Sequence, residues 1–191
     1  MEKKIVLFGL NADPPHLGHL QVVYEVEKQL GPETLFVVMP TGNHPLDKPQ
    51  VASNTHRLAM TQLLFMGSKR VMVDDFELNK VTKSYTLDSL IHLKTKYPNS
   101  QLYFIIATDV ANNFFSWHEP IKILSIADPI VVSRVGFELN PEVKEEFYKK
   151  SHPVILETHS LPISSSEIRQ KRVLEHLSSE VKKYVEDHNL Y

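Results

Sequence analysis

Short, continuous apolar runs recur along the chain at Ile5 to Phe8, Leu35 to Met39, Val71 to Val73, Leu102 to Ala107, Ile130 to Ser133 and Val154 to Leu156. Runs without polar alternation are buried on both faces, as strands of a parallel sheet are. Amphipathic stretches lie between them. They predict helices over about Leu17 to Leu30, Asn54 to Phe65, Leu87 to Tyr97, Ile121 to Ala127, part of Glu142 to Lys149, and Leu174 to His188. In the first, Leu20, Val23, Val26 and Leu30 form one stripe and Gly31 stands as terminator; in the last, Leu174, Leu177, Val181 and Tyr184 do the same. Strands alternating with helices predict an α/β fold, a Rossmann-like doubly wound parallel sheet, in a single domain over 1–191. With the common strand order 3-2-1-4-5, the first and fourth strands are neighbours whose connections leave to opposite faces. A crevice then opens at their C-terminal ends, where ligands bind. The loop after the first strand carries His16 and His19; the loop after the fourth carries Thr108 and Asp109.

That first loop bears the densest candidate chemistry. Gly9 permits a tight turn, Asn11 and Asp13 suit a polar one, and Pro14-Pro15 forbid a helix until just before His16. His16 and His19, three apart in the first helical turn, share a face where free backbone N–H groups point outward, a setting suited to phosphate. The pair is open to four roles: acid-base groups, metal ligands, cationic phosphate binders, or caps that merely pack. Zinc would need further ligands, and none stands nearby at useful spacing. Far downstream, Ser164 with Glu167 reads as a capping box. The same segment, with Pro162 before it, three successive hydroxyls and Arg169, also reads as a phosphate cradle. Asp109 ends a buried run, so it is either solvated in a crevice or caps the next helix. Trp117 is the single tryptophan, set in a polar loop where an indole suits stacking on something flat. Thr86 is expected as an N-cap, with its helix beginning at Leu87.

Composition narrows the classes of function. A chain of 191 residues with 42% hydrophobic content buries a sizeable core. Its net charge of -2, from 21 basic and 23 acidic side chains interspersed, gives no electrostatic case for a nucleic-acid surface. The absence of cysteine removes disulfides, thiolate nucleophiles and Cys-ligated zinc. The start MEKKIVLFGL has the charges of a leader peptide, but its apolar run is short and broken by Asn11-Ala12-Asp13. No segment reaches the length of a membrane span, and the expected location is cytoplasmic.

DPPHLGH after a first strand resembles the HxGH signature of the nucleotidyltransferase superfamily, and ISSSEIR at Ile163 to Arg169 resembles its second signature, ISSTxxR. VDDFEL, SYTLDSL, YFIIATD, SWHE and the terminal HNLY are similar to segments of the bacterial nicotinate-nucleotide adenylyltransferases. The resemblance covers nearly the whole chain. It implies the nucleotidyltransferase (adenylyltransferase) fold and transfer of AMP from ATP to nicotinate mononucleotide in NAD biosynthesis, with magnesium arriving on ATP rather than held by a protein cluster. It implies catalytic roles for His16, His19 and Arg169. ATP would lie on Gly9, Leu10, Asn11, His16, Gly18, His19, Ser164, Ser165 and Arg169, and the mononucleotide on His44, Lys48, Tyr85, Thr86, Asp109 and Trp117. Two alternatives stay open: another member such as pantetheine-phosphate adenylyltransferase, and a non-catalytic nucleotide-binding protein of the same fold. Gly9-Leu10-Asn11-Ala12 departs from the family's usual GGTF or GGSF, losing a glycine and an aromatic from the wall on which ATP would lie. An insertion-like Leu46-Asp47 also separates His44-Pro45 from Lys48, where the family has PHK.

Overall fold

The computed structural model describes residues 3–44, 49–157 and 163–191. Six strands, β1 (Lys3–Leu10), β2 (Leu35–Pro40), β3 (Val71–Val73), β4 (Ser100–Ala107), β5 (Ala127–Val132) and β6 (Val154–Leu156), form one sheet. All pairs are parallel, in the order β3-β2-β1-β4-β5-β6. The helices are α1 (Leu17–Leu30), α2 (Asn54–Leu64), α3 (Thr86–Lys96), α4 (Thr108–Ala111), α5 (Pro120–Ile126), α6 (Pro141–Lys150), α7 (Ser165–Lys171) and α8 (Ser179–Asp187).

The twofold alternation of strand side chains sorts the core into two layers. Val6, Phe8, Phe36, Val38, Tyr103 and Ile105 pack with Val23 and Val26 of α1, Met60 of α2 and Val181 and Val185 of α8. Ile5, Leu7, Val37, Met39, Phe104 and Ile106 pack on the opposite face with Leu90 and Leu93 of α3, Ile123 of α5 and Phe147 of α6. Hence α1 and α5 do lie on opposite faces, and β1 and β4 part at the switch point expected of the topology.

Three expectations need correction. The turn after β1 does not occur at Gly9, which stays in the strand opposite Met39; the chain bends at Ala12, whose φ is 53°. The helix expected over Leu174 to His188 is divided. Leu174–His176 is a 3-10 turn, Leu177 is extended, and the Ser178 hydroxyl accepts the Val181 amide at 3.3 Å to start α8. The apolar stripe survives the break, because Leu177 and Val181 are both buried. Finally, α3 begins at Thr86 with Tyr85 as N-cap, so Thr86 is the first helical residue rather than the cap.

Candidate functional site

Helix α1 starts at the C-terminal end of β1, and its opening residues carry the two histidines. His16 is the N-cap; its backbone N–H donates to Nδ1 of His19 at 3.1 Å, and the two rings lie 3.8 Å apart between centroids. Gly18 makes room for this: a Cβ there would meet His16 Nδ1 at 3.0 Å. That nitrogen is buried without a hydrogen-bond partner, which leaves Nε2 as the nitrogen His16 can offer a ligand. His19 is similarly committed. Its Nδ1 accepts, so its neutral ring carries the proton on Nε2 as a donor.

Electrostatics revise the sequence reading. Burial, then His19, His176 and Arg134, lower the pKa of His16 to about 2. Burial, with a smaller contribution from Arg134, lowers His19 to about 4. His16 is the more deeply enclosed of the two, since part of His19 stays exposed. Both rings are therefore neutral in the free protein near neutral pH, in place of the imidazolium that the sequence reading expected.

A clamp holds the loop between β1 and α1. Asp13 is fully buried; Val51 and Ala52 donate their amides to its carboxylate at 2.8 and 3.0 Å, and the Tyr191 hydroxyl donates at 2.7 Å. Arg169 donates to the Asp13 carbonyl and stands 3.8 Å from its carboxylate, while Ser165 donates to the Pro14 carbonyl at 2.9 Å. The two signature segments thus meet, but Ser165 and Arg169 bind the loop itself. Ser164 accepts the Glu167 amide at 3.1 Å, so the capping reading holds for it. Arg57, fully buried, donates to the Asn11 carbonyl at 2.7 Å, and Gln50 donates to Asn11 Oδ1 at 3.2 Å. Leu10 is in the core, and Gly9 leaves open space beside the sheet's end.

Sequence reasoning passed over Arg57, Gln50 and the Tyr191 contact. The signal for Arg57 was available: it lies on the stripe Arg57, Met60, Thr61, Leu64 that α2 buries, where a cation needs partners.

The other half of the crevice lies at the ends of β2, β3 and β4. Asp109, in the first turn of α4, binds Arg134 at 2.7 Å through Oδ2, while its Oδ1 is buried without a hydrogen-bond partner. Arg134, missed from sequence, lies close enough to both histidines to depress their pKa values. The Tyr85 ring packs at a tilt against His118, with centroids 4.5 Å apart. Trp117 is half-buried against Phe114, 5.2 Å between centroids, so part of its surface is core. His44 follows Asn43, whose carbonyl accepts the Ser84 amide at 2.9 Å. Lys48 and Pro162 lie outside the described residues. Among the described residues, no three His, Cys, Asp or Glu side chains group to hold a metal ion.

Residues 7–171 match the cytidylyltransferase-like family. The chain is 30% identical to a probable nicotinate-nucleotide adenylyltransferase of Borrelia garinii, over 98% of this chain and 94% of that protein. It is 31% identical to the nicotinate-nucleotide adenylyltransferase of Bacillus subtilis, over 99% of this chain and 98% of that one. The structure of Plasmodium falciparum nicotinic acid mononucleotide adenylyltransferase complexed with NaAD superposes with a TM-score of 0.81, covering 100% of this chain and 98% of that chain at 23% identity. At that identity the likeness is one of fold.

Proposed function

The chain belongs to the cytidylyltransferase-like family, among its nicotinate-nucleotide adenylyltransferases, and from that membership we propose that it joins ATP and nicotinate mononucleotide into nicotinate adenine dinucleotide and pyrophosphate. A phosphate oxygen of the mononucleotide attacks the α-phosphorus of ATP in line; that bond forms as the bond to the bridging oxygen of pyrophosphate breaks. No protein nucleophile takes part. The polypeptide positions two polyanions and stabilises the charge that gathers on the transferring phosphoryl group.

The observation that carries this reading is the paired histidines at the start of α1. Two neutral rings, each with Nε2 available, stand at a helix N-terminus whose own N–H groups favour an anion. His19 donates from Nε2 to the α-phosphoryl oxygens, and the approach of the triphosphate raises the proton affinity of both rings. Arg169 holds the Asp13–Pro14 loop and turns its remaining N–H groups to the triphosphate. Asp109 Oδ1 is an acceptor in want of a donor, which suits a ribose hydroxyl or a water of magnesium. Magnesium, arriving on ATP rather than held by the protein, would neutralise charge on the phosphates. His44 and Lys48 meet the mononucleotide phosphate, Trp117 stacks on the pyridine with its exposed face, and the N–H groups at Tyr85 and Thr86 receive the pyridine carboxylate. Among the described residues no helix is long and apolar enough to cross a membrane. Both substrates are water-soluble, and we place the reaction in the cytoplasm.

Mixing the protein with ATP, magnesium and either nicotinate or nicotinamide mononucleotide tests the reading. Pyrophosphate and the dinucleotide should form, with kcat/KM at least about tenfold higher for the acid, a gap that one or two charge-assisted hydrogen bonds supply. No product with either mononucleotide, or turnover with phosphopantetheine instead, would overturn it.

A further inference from the structure

Glu77 is a buried carboxylate, 5% exposed, in the segment between β3 and α3, and the reaction has no direct use for it. Its Oε1 accepts the Ser89 hydroxyl of α3 at 2.7 Å, and the Gly42 amide of the loop after β2 faces the carboxylate closely enough to favour its charged form. These are the two segments placed on either side of the mononucleotide, so any role for Glu77 in binding rests on that placement. The surrounding backbone shows how tightly they are joined. A Cβ on Gly42 would fall 2.0 Å from the Glu77 carbonyl oxygen, so only glycine admits this approach. Beside it Asn43 bridges to Lys83, accepts the Ser84 amide and donates to the Val81 carbonyl at 2.9 Å.

We propose that Glu77 is the positioning residue of the mononucleotide half, its carboxylate locking the loop 41–44 onto the first turn of α3. The loop leads into His44, and the turn presents Thr86. One side chain thereby sets the distance between the group that meets the phosphate and the N–H donors that meet the pyridine carboxylate. The groups facing it are Lys80 of its own segment, Asp88 of α3 and Arg57 of α2. Burial, only partly offset by the Ser89 hydroxyl, Lys80 and Gly42, raises its pKa to about 7, so protonation near neutrality takes an acceptor from one of its two donors.

Glu77→Gln tests this, because the amide can accept from one donor but opposes the other with its own N–H groups. KM for nicotinate mononucleotide should rise about tenfold, as for one lost charge-assisted hydrogen bond, with KM for ATP changed by less than about twofold. Ser89→Ala, which removes one donor and leaves the carboxylate, should raise the same KM by about threefold. Amides of residues 41–44 and 84–89 should exchange faster in Glu77→Gln. In the wild type, KM for the mononucleotide should rise between pH 8 and 6 more steeply than in Glu77→Gln. The phosphate titration near pH 6 is common to both proteins, so the difference isolates Glu77. Equal rises in both KM values, an unchanged KM for the mononucleotide, or identical amide exchange would overturn the proposal. Trp117 fluorescence, titrated with the mononucleotide alone, separates this from failure of the reaction. Binding without turnover refutes the reaction, whereas equal affinity of wild type and Glu77→Gln refutes the tie.

Discussion

His16 and Glu77 are buried titratable groups whose pKa values move in opposite senses, and their effects on stability oppose each other. His16 titrates near 2 in the fold against 6.5 in the unfolded chain. Below pH 6.5 the unfolded state therefore binds a proton the fold refuses, and stability falls on acidification by about 1.4 kcal/mol per pH unit. Glu77 titrates near 7 in the fold against 4.5 unfolded, so between those limits the fold holds the extra proton and stability rises on acidification at about the same rate. Between pH 6.5 and 5 these two contributions largely cancel, leaving that of His19, which titrates near 4 and acts in the same sense as His16 in every variant. Glu77→Gln should leave the His16 slope unopposed and make the protein more acid-sensitive in that window, whereas His16→Ala should do the reverse. Urea midpoints at pH 6.5 and 5 measure both, and parallel slopes in the two variants would refute the assignment. Tyr191 raises a separate question, because burial and the bond to Asp13 push its hydroxyl above the usual phenol range. Tyr191→Phe loses a hydrogen bond to a carboxylate and should cost about 1.5–3 kcal/mol in chemical denaturation, with no dependence on pH between 6 and 9.

At the scale of elements, periodicity found every strand and the helices α1, α2, α3, α5, α6 and α8, because burial on a twofold or 3.6-fold period leaves its mark on the chain, whereas the single turn of α4 was expected as loop and α7 was marked only by its capping residues. What it missed are local hydrogen bonds that compete with that period. The Ser178 cap divides the last helix although its apolar stripe runs through, and Tyr85 takes the cap position with a side chain that makes no cap bond. The histidine pair was legible from spacing, but its neutrality was not. That depends on burial and on Arg134, which lies far away in sequence. The clamp on Asp13 was hidden for the same reason, since its partners come from residues 51, 52, 169 and 191. The shifted start of α3 changes what a substitution there does. Proline is accepted at the first helical position, and Tyr85 has φ -94° and ψ 140°, which suits a residue before proline. Thr86→Pro should therefore remove one N–H donor without melting the helix. The preference for the acid over the amide mononucleotide should shrink by about tenfold in kcat/KM, with stability changed by less than about 1 kcal/mol. An unchanged preference would place the pyridine carboxylate elsewhere.

Across the whole molecule, one parallel sheet presents two separately built halves at its C-terminal edge. The half we assign to ATP hangs from β1, α1 and the Asp13 clamp, and the half we assign to the mononucleotide from the loops after β2, β3 and β4. Gln50 joins them, donating to Asn11 in one half and to the Gly42 carbonyl, at 2.9 Å, in the other. Val51 and Ala52, from the same loop after β2, also donate to Asp13, so the halves share a wall but not their ligand-contacting groups, and damage to those groups in one should leave binding in the other. Ligand at about a hundred times its dissociation constant stabilises the fold by about 2.7 kcal/mol. For a chain of this size that is a rise in Tm of roughly 5–11 °C. His19→Ala should lower turnover by roughly a hundredfold, the usual loss for a donor to a developing oxyanion, and should blunt the thermal shift with ATP while keeping that with the mononucleotide. Trp117→Ala should do the converse. If either variant lost both shifts together, the crevice would be one cooperative unit, and the division of the site into two separately built halves would be wrong.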